Sequence, residues 1–212
     1  MKLEALKKKP FLICAGVSFL LIVLDCLFKW IVQANCELYV RNEVIPNFFY
    51  ITLSHNTGAA FSLGDSWGVW GRILGIFISL TMSAAILFYW LKKAGKIHIV
   101  EQICLALLFA GAFGNLIDRS FYWQGTVGFD GVIDYLQFYL GGGPNAGSSL
   151  VNPFATFNLA DACLVVGVIV LIVYAIVDAI KHRGEGEDLS VDPRLAEKKE
   201  AEKKEAEEKE DE

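Results

Sequence analysis

Four apolar runs, each about as long as a bilayer is thick, constrain this chain more than any other feature. They cover residues 11–31, 69–91, 97–117 and 157–180. A helix needs about 20 such residues to cross the hydrocarbon core. Every backbone N–H and C=O there must find a partner within the segment, so isolated runs of this kind become helices. The expected fold class is mainly α: a polytopic membrane protein with four transmembrane helices and a small extracytoplasmic β-rich loop region. The β part is read from Phe48-Phe49-Tyr50-Ile51-Thr52-Leu53, whose β-branched and aromatic side chains suit a strand. Gly71-x-x-x-Gly75 in the second run allows close contact between helices.

The first run follows Lys2, Lys7, Lys8 and Lys9, as a signal peptide would. It has no small-residue cleavage site before Asp25, and three more spans follow, so it reads as a retained helix. Positive charge sets the direction. Lys7, Lys8, Lys9, Lys92, Lys93, Lys96, Lys181 and Arg183 flank the same ends of the four spans, while the 32–68 and 120–156 loops carry few cations, chiefly Arg41. Both termini are expected in the cytoplasm and both long loops outside.

Residues 184–212 are of a different kind. They hold 13 of the 24 acidic and 6 of the 19 basic residues, in a five-residue repeat beginning Ala196-Glu197-Lys198-Lys199-Glu200. This acidic Glu/Lys-rich stretch has no apolar face and is expected to be a cytoplasmic tail, disordered or partly helical. The body, 1–183, is expected to be one four-helix membrane domain. It keeps 11 acidic and 13 basic residues, so the acidic balance belongs to the tail and nucleic-acid binding has no support. Five cysteines, an odd number without a Cys-x-x-Cys pair, indicate neither a disulfide framework nor a zinc site. No metal and no cofactor are expected.

Within so apolar a chain, certain polar residues stand out. Asp134 lies in Val132-Ile133-Asp134-Tyr135-Leu136, and Asp161 opens the fourth run in Phe157-Asn158-Leu159-Ala160-Asp161. A carboxylate near membrane depth costs about 2.5–3.5 kcal/mol or more, so it is seldom there without a task or a partner. Two such groups brought together make an acid and a base that share one proton. Asn115 and Asp118 are three apart, and Asn115 and Arg119 four apart, so a helix puts all three on one face. Asn158 and Asp161 also share a face. Asn56 follows the expected strand, in Asn56-Thr57-Gly58. Each has a plainer reading as well. Asp25 with Lys29 suits an i,i+4 ion pair near the outer interface, Asp118-Arg119 suits the end of a span, and Asn158 suits a helix cap. Two rival functions remain at this point. A small transporter would use the aspartates as proton relays, although no internal repeat is visible. A membrane scaffold would leave the polar residues unexplained.

The polar blocks also carry a resemblance. Leu24-Asp25 with Lys29-Trp30, Asn56-Thr57-Gly58-Ala59-Ala60-Phe61, Gly114-Asn115-Leu116-Ile117-Asp118-Arg119, Val132-Ile133-Asp134 and Phe157-Asn158-Leu159-Ala160-Asp161 stand in the order found in lipoprotein signal peptidase, or signal peptidase II. The chain resembles that family over about residues 10–183. The resemblance implies an aspartic endopeptidase of the bacterial cytoplasmic membrane, with its site near the outer face. Its substrates would be diacylglyceryl-modified prolipoproteins, cut just before the modified cysteine, and membrane lipids would surround it. Asp134 and Asp161 take the catalytic positions. Asn56, Asn115, Arg119 and Asn158 take substrate-binding or supporting positions, and Asp25, Gly58 and Asp118 structural ones. Oligomeric state is not implied. Cys26 stands where a Gln commonly follows the first aspartate, and Ala162-Cys163 where a Ser is usual. The Gly-rich stretch 141–149 is longer than the family pattern, and the tail lies outside it. Around Gly64 and Trp67 a lid is expected, since Gly offers mobility and Trp an interfacial anchor.

Overall fold

A computed structural model describes residues 2–56, 69–121, 131–145 and 153–186. The elements run α1 (Lys2–Asn35), β1 (Arg41–Ile45), β2 (Phe49–Asn56), α2 (Val69–Lys93), α3 (Ile99–Ser120), β3 (Val132–Phe138) and α4 (Leu159–Gly186). The four helices cover the four apolar runs except residues 97–98 and 157–158, and each is long and apolar enough to cross a membrane. The chain is a multi-pass membrane protein, mainly helical, with one small sheet. It divides into two compact units, Met1–Leu171 and Ile172–Glu212, and the polar residues singled out above lie in the first. The expected tail, apart from its first residues at the end of α4, lies outside the described residues, as do Gly58 and the expected lid.

Lipid offers no hydrophobic drive for one apolar helix to leave it for another, so contact rests on small residues and on interhelical hydrogen bonds. α3 is the helix that others pack around. Its buried positions include Ala106, Ala110, Gly111, Ala112 and Gly114. α2 meets it through Gly71, Gly75, Ser79 and Ser83, one small buried residue per turn. Ser18 Oγ of α1 donates to the Ala106 carbonyl at 2.9 Å, and Trp90 Nε1 of α2 donates to Gln102 Oε1 of α3 at 2.6 Å. Each buried donor thereby keeps an acceptor.

The sheet is antiparallel with strand order β1-β2-β3. Strand content was expected near residues 48–53, and β2 runs further, so that Asn56 is its last residue rather than a loop residue beyond it. β3 was not foreseen. On one side it pairs with β2, setting Ser54 opposite Asp134 and Asn56 opposite Val132. On its other side the segment leading into α4 adds a bridge, with Leu136 N donating to Phe157 O at 2.8 Å and Phe157 N to Leu136 O at 3.1 Å. Phe138 stacks between Phe49 and Phe157, with ring centroids 4.7 and 5.8 Å away. The bridge fixes where α4 begins relative to Asp134.

Candidate active site

Building upward from the helices, the first polar group met is an ammonium. Lys29 of α1 is fully buried. Its Nζ lies 2.7 Å from Asp25 Oδ2, 2.7 Å from Asp118 Oδ2 and 3.3 Å from Asn115 Oδ1. The ammonium thus ion-pairs with two carboxylates and donates a hydrogen bond to the Asn115 amide oxygen. Each carboxylate then ties down backbone elsewhere. Asp25 Oδ1 accepts from Ala160 N at 3.0 Å, and Asp118 Oδ2 accepts from Ile133 N at 3.3 Å. Ala160 precedes Asp161, and Ile133 precedes Asp134. One ammonium therefore gathers two carboxylates that each tether the peptide next to one of the singled-out aspartates. Small residues permit the approach: a Cβ on Gly114 would meet Asp25 Oδ2 at 2.9 Å and Ala160 Cβ at 3.0 Å, and one on Gly111 would collide with the Ala160 carbonyl oxygen.

The second layer is made of amides. Asn158 immediately precedes α4 and caps it. Its Oδ1 accepts from Asp161 N at 2.9 Å, while Asp161 Oδ2 accepts from Asn158 N at 3.3 Å. This reciprocal pair satisfies two donors that a helix start leaves open. Because the Asp161 N–H can only donate, the amide oxygen of Asn158 must face it, and the NH2 group is turned to Asp134 Oδ1 at 2.7 Å. The same logic orients Asn115. Its oxygen faces the Lys29 ammonium and accepts from Asn158 Nδ2 at 3.1 Å, so its NH2 points at Asp161 Oδ1, 2.7 Å away. Asn56, at the end of β2, donates to Asp134 Oδ2 at 3.1 Å. Asn158 both caps α4 and holds Asp134, through opposite ends of one amide.

These contacts bring Asp134 and Asp161 into one network through Asn158, yet neither has a cation within ion-pair distance among the described residues. Asp134 is 3% exposed. Burial, and after it the negative charge of Asp161, pushes its carboxyl up to about 7, against the opposing pull of Asn56, Lys29 and Asn158. Near neutral pH it is therefore poised between holding and releasing a proton. Asp161 is half-buried and opens onto a cavity of about 190 Å³. Asn56, Asn115 and Arg119 form the polar wall there, and Ile78, Met82 and Leu164 are among its apolar lining. Arg119 lies in the field of Asp161, Asp118 and Asp134. A space that is polar at one wall and apolar at the others, lined by a carboxylate, suits hydrolysis of a peptide bond attached to an apolar chain.

The residues expected from the sequence thus fall into two groups that touch. Asn56, Asn115, Asn158, Asp134 and Asp161 share one hydrogen-bond network, with Arg119 on the same cavity, while Asp25 and Asp118 lie behind it on Lys29. Lys29 was read only as the partner of Asp25, and Ser79 drew no attention. The spacing of Asp25 and Lys29 is visible in the sequence, whereas the meeting of Lys29 with Asp118 on another helix is not.

Residues 17–177 match the family described as signal peptidase (SPase) II. The lipoprotein signal peptidase of Listeria monocytogenes serotype 4a (strain HCC23) is 34% identical over 168 residues, covering 79% of this chain and 96% of the relative. That of Bacillus pumilus (strain SAFR-032) is 35% identical over 169 residues, covering 79% and 94%. That of Staphylococcus epidermidis (strain ATCC 35984) is 31% identical over 182 residues, covering 85% and 99%. Among solved structures, a bacterial membrane enzyme determined by the in meso method at 2.3 Å superposes with a TM-score of 0.57 at 28% identity, covering 77% of this chain and 90% of the other.

Proposed function

Since the chain belongs to the signal peptidase II family, we propose that it is an aspartic endopeptidase that removes signal peptides from diacylglyceryl-modified prolipoproteins, cutting just before the modified cysteine. The observation that carries the aspartic reading is the pair of carboxylates held by neutral amides, of which Asp161 lines a largely apolar cavity. Asp161, which lines the cavity, takes a proton from water, and that water attacks the scissile carbonyl. Asp134, raised to about 7, donates its proton to the carbonyl oxygen as the water adds; on collapse Asp161 passes the proton it took to the leaving amine, and Asp134 recovers one from the new carboxyl group. No covalent intermediate is needed. Arg119 faces the carbonyl oxygen, where negative charge develops. Asn115 and Asn158 fix the orientations of the carboxylates, and Asn56 holds Asp134 from the β2 side. Gly58 keeps the structural place that the family resemblance gives it.

Residues 1–183 act as the peptidase domain in the bacterial cytoplasmic membrane, surrounded by lipid, with 184–212 as a cytoplasmic tail. The lysine pattern puts both termini inside and the site near the outer face. Cysteines introduced at Asn42 and Gly142 should then react with an impermeant reagent added outside, and one at Lys93 should not. The transporter reading gains no support from the family. The test of function is incubation of the purified full-length protein with a diacylglyceryl-modified precursor. Release of the signal peptide is expected, together with no release from the same precursor lacking the lipid. Failure to cut the modified precursor would overturn the reading.

A further inference from the structure

The Arg119 guanidinium is held in an unusual way for a cation among carboxylates. Its Nη1 donates to Ser79 Oγ of α2 at 3.0 Å. Among the described residues no carboxylate lies within ion-pair distance of it, although Asp161, Asp118 and Asp134 all act on it through space. Its stem runs across α2 at Gly75, where a Cβ would stand 3.0 Å from both Arg119 Cδ and Nε. One turn earlier, Arg72 Nε donates to the Arg119 carbonyl at 3.1 Å, covering one of the acceptors that the end of α3 leaves open. Arg72, Gly75 and Ser79 are three and four residues apart, so one face of α2 handles the whole residue. Gly75, Ser79, Arg119 and Asp161 all line the same cavity.

A neutral hydroxyl orients a guanidinium without cancelling its charge. An Asp or Glu in the place of Ser79 would hold the group more tightly and leave less of its field for a substrate. The glycine supplies what the hydroxyl cannot, which is room for the stem to lie flat against the helix. We propose that Gly75 and Ser79 are positioning residues for the reaction: a notch and a neutral clamp on α2 that aim the charged Arg119 side chain into the cavity beside Asp161. This rests on the proposed role of Arg119 at the developing oxyanion. The same residues could serve α2–α3 packing alone, and the two roles differ in what a substitution changes. Ala is a better helix former than Gly, so Gly75→Ala in a purely structural site would spare the chemistry or simply shift stability. In a positioning site it moves the guanidinium by a few tenths of an ångström and lowers the chemical step.

The experiment measures kcat and KM of full-length Gly75→Ala, Ser79→Ala and Ser79→Thr on the diacylglyceryl-modified precursor. Thermal midpoints are recorded in the same detergent. Loss of a hydrogen bond to a charged group corresponds to about a tenfold or greater effect. Ser79→Ala and Gly75→Ala should each lower kcat about tenfold, with KM within about twofold, as expected when an interaction acts only in the transition state. Ser79→Thr keeps the hydroxyl and should stay within about threefold of the wild type. Repeated in an Arg119→Lys background, which lacks the fork, Gly75→Ala and Ser79→Ala should each change kcat by less than about twofold. Unchanged kcat in both single variants, a loss in Ser79→Thr equal to that in Ser79→Ala, or undiminished losses in the Arg119→Lys background would overturn the proposal. The rescue and the kcat-against-KM split are read in the wild-type background, so they decide even where Arg119→Lys is inert. Wild-type cleavage of the precursor tests the functional reading separately.

Discussion

Two pairs of aspartates, all buried except the half-buried Asp161, sit side by side in this protein, and they are handled in opposite ways. Asp25 and Asp118 face an ammonium that gives each a contact at 2.7 Å. Asp134 and Asp161 face amides: Asn56 and Asn158 on the first, Asn115 and the Asn158 backbone on the second. Ion pairing fixes protonation, because protonating a carboxylate or deprotonating the ammonium forfeits the attraction that offsets desolvation. Amide donors fix direction and leave protonation open, since they favour a carboxylate without neutralising it. The first arrangement suits structure and the second suits chemistry. The two are also coupled, as the ion-paired carboxylates tether Ala160 and Ile133, the residues just before Asp161 and Asp134.

The contrast breaks most visibly at turnover. Asp134→Asn and Asp161→Asn should each lower precursor cleavage by about 10²–10⁴-fold, the usual worth of an acid–base group, with insertion intact. Asp118→Asn, measured at a temperature where it remains folded, should cost far less, and a loss equal to that of Asp134→Asn would erase the distinction. A stability experiment probes the other side. Lys29→Met leaves two buried carboxylates without their cation and should destabilise by about 3–5 kcal/mol, seen as a lowered thermal midpoint in detergent. An unchanged midpoint would show that the ion cluster is not what holds α1 to α3.

A smaller effect follows from pH. With Asp134 raised to about 7, kcat should fall as pH rises through that value, and the limb reports the aspartates as a coupled pair. Asn56 pulls the same group downward, so Asn56→Ala should move the limb to higher pH while lowering activity about tenfold. A limb unmoved by that change would remove Asn56 from the site. Stability follows the same sign. The folded value lies above the unfolded one of about 3.9, so the proton's contribution is complete below pH 4 and is lost as pH rises through about 7. Asp134→Asn should lack that decline. The smallest effect concerns the tail. Truncation after residue 186 should leave specific activity within a few-fold, and complete loss in a well-inserted protein would give the tail a function.

The helices were legible because a bilayer imposes length and apolarity on contiguous residues. The first two runs lie within the observed helices, and the third and fourth begin two residues before theirs, at 97 and 157 against Ile99 and Leu159. β3 was not legible. It is buried over most of its length between β2 and the bridge to Phe157, so Val132 and Ile133 lack the alternation of a half-exposed strand. Asn115 with Asp118, and Asn158 with Asp161, showed helical spacing and could be seen as faces. What no spacing displays is the donor-only logic that turns each amide: the Lys29 ammonium behind Asn115 and the Asp161 N–H behind Asn158. Gly71 and Gly75 were visible as a contact motif, but only the fold shows Arg119 lying against Gly75.

Held by amides, Asp134 is expected to keep a proton near neutral pH. Infrared difference spectroscopy of the protonated carboxyl stretch reads this directly, comparing the full-length protein with Asp134→Asn across pH 5 to 9. A protonated-carboxyl band is expected in the wild type at pH 6, diminishing as pH rises through about 7, and absent as such from Asp134→Asn. A wild-type spectrum with no protonated carboxyl at pH 6, or a band that persists unchanged in Asp134→Asn, would contradict it.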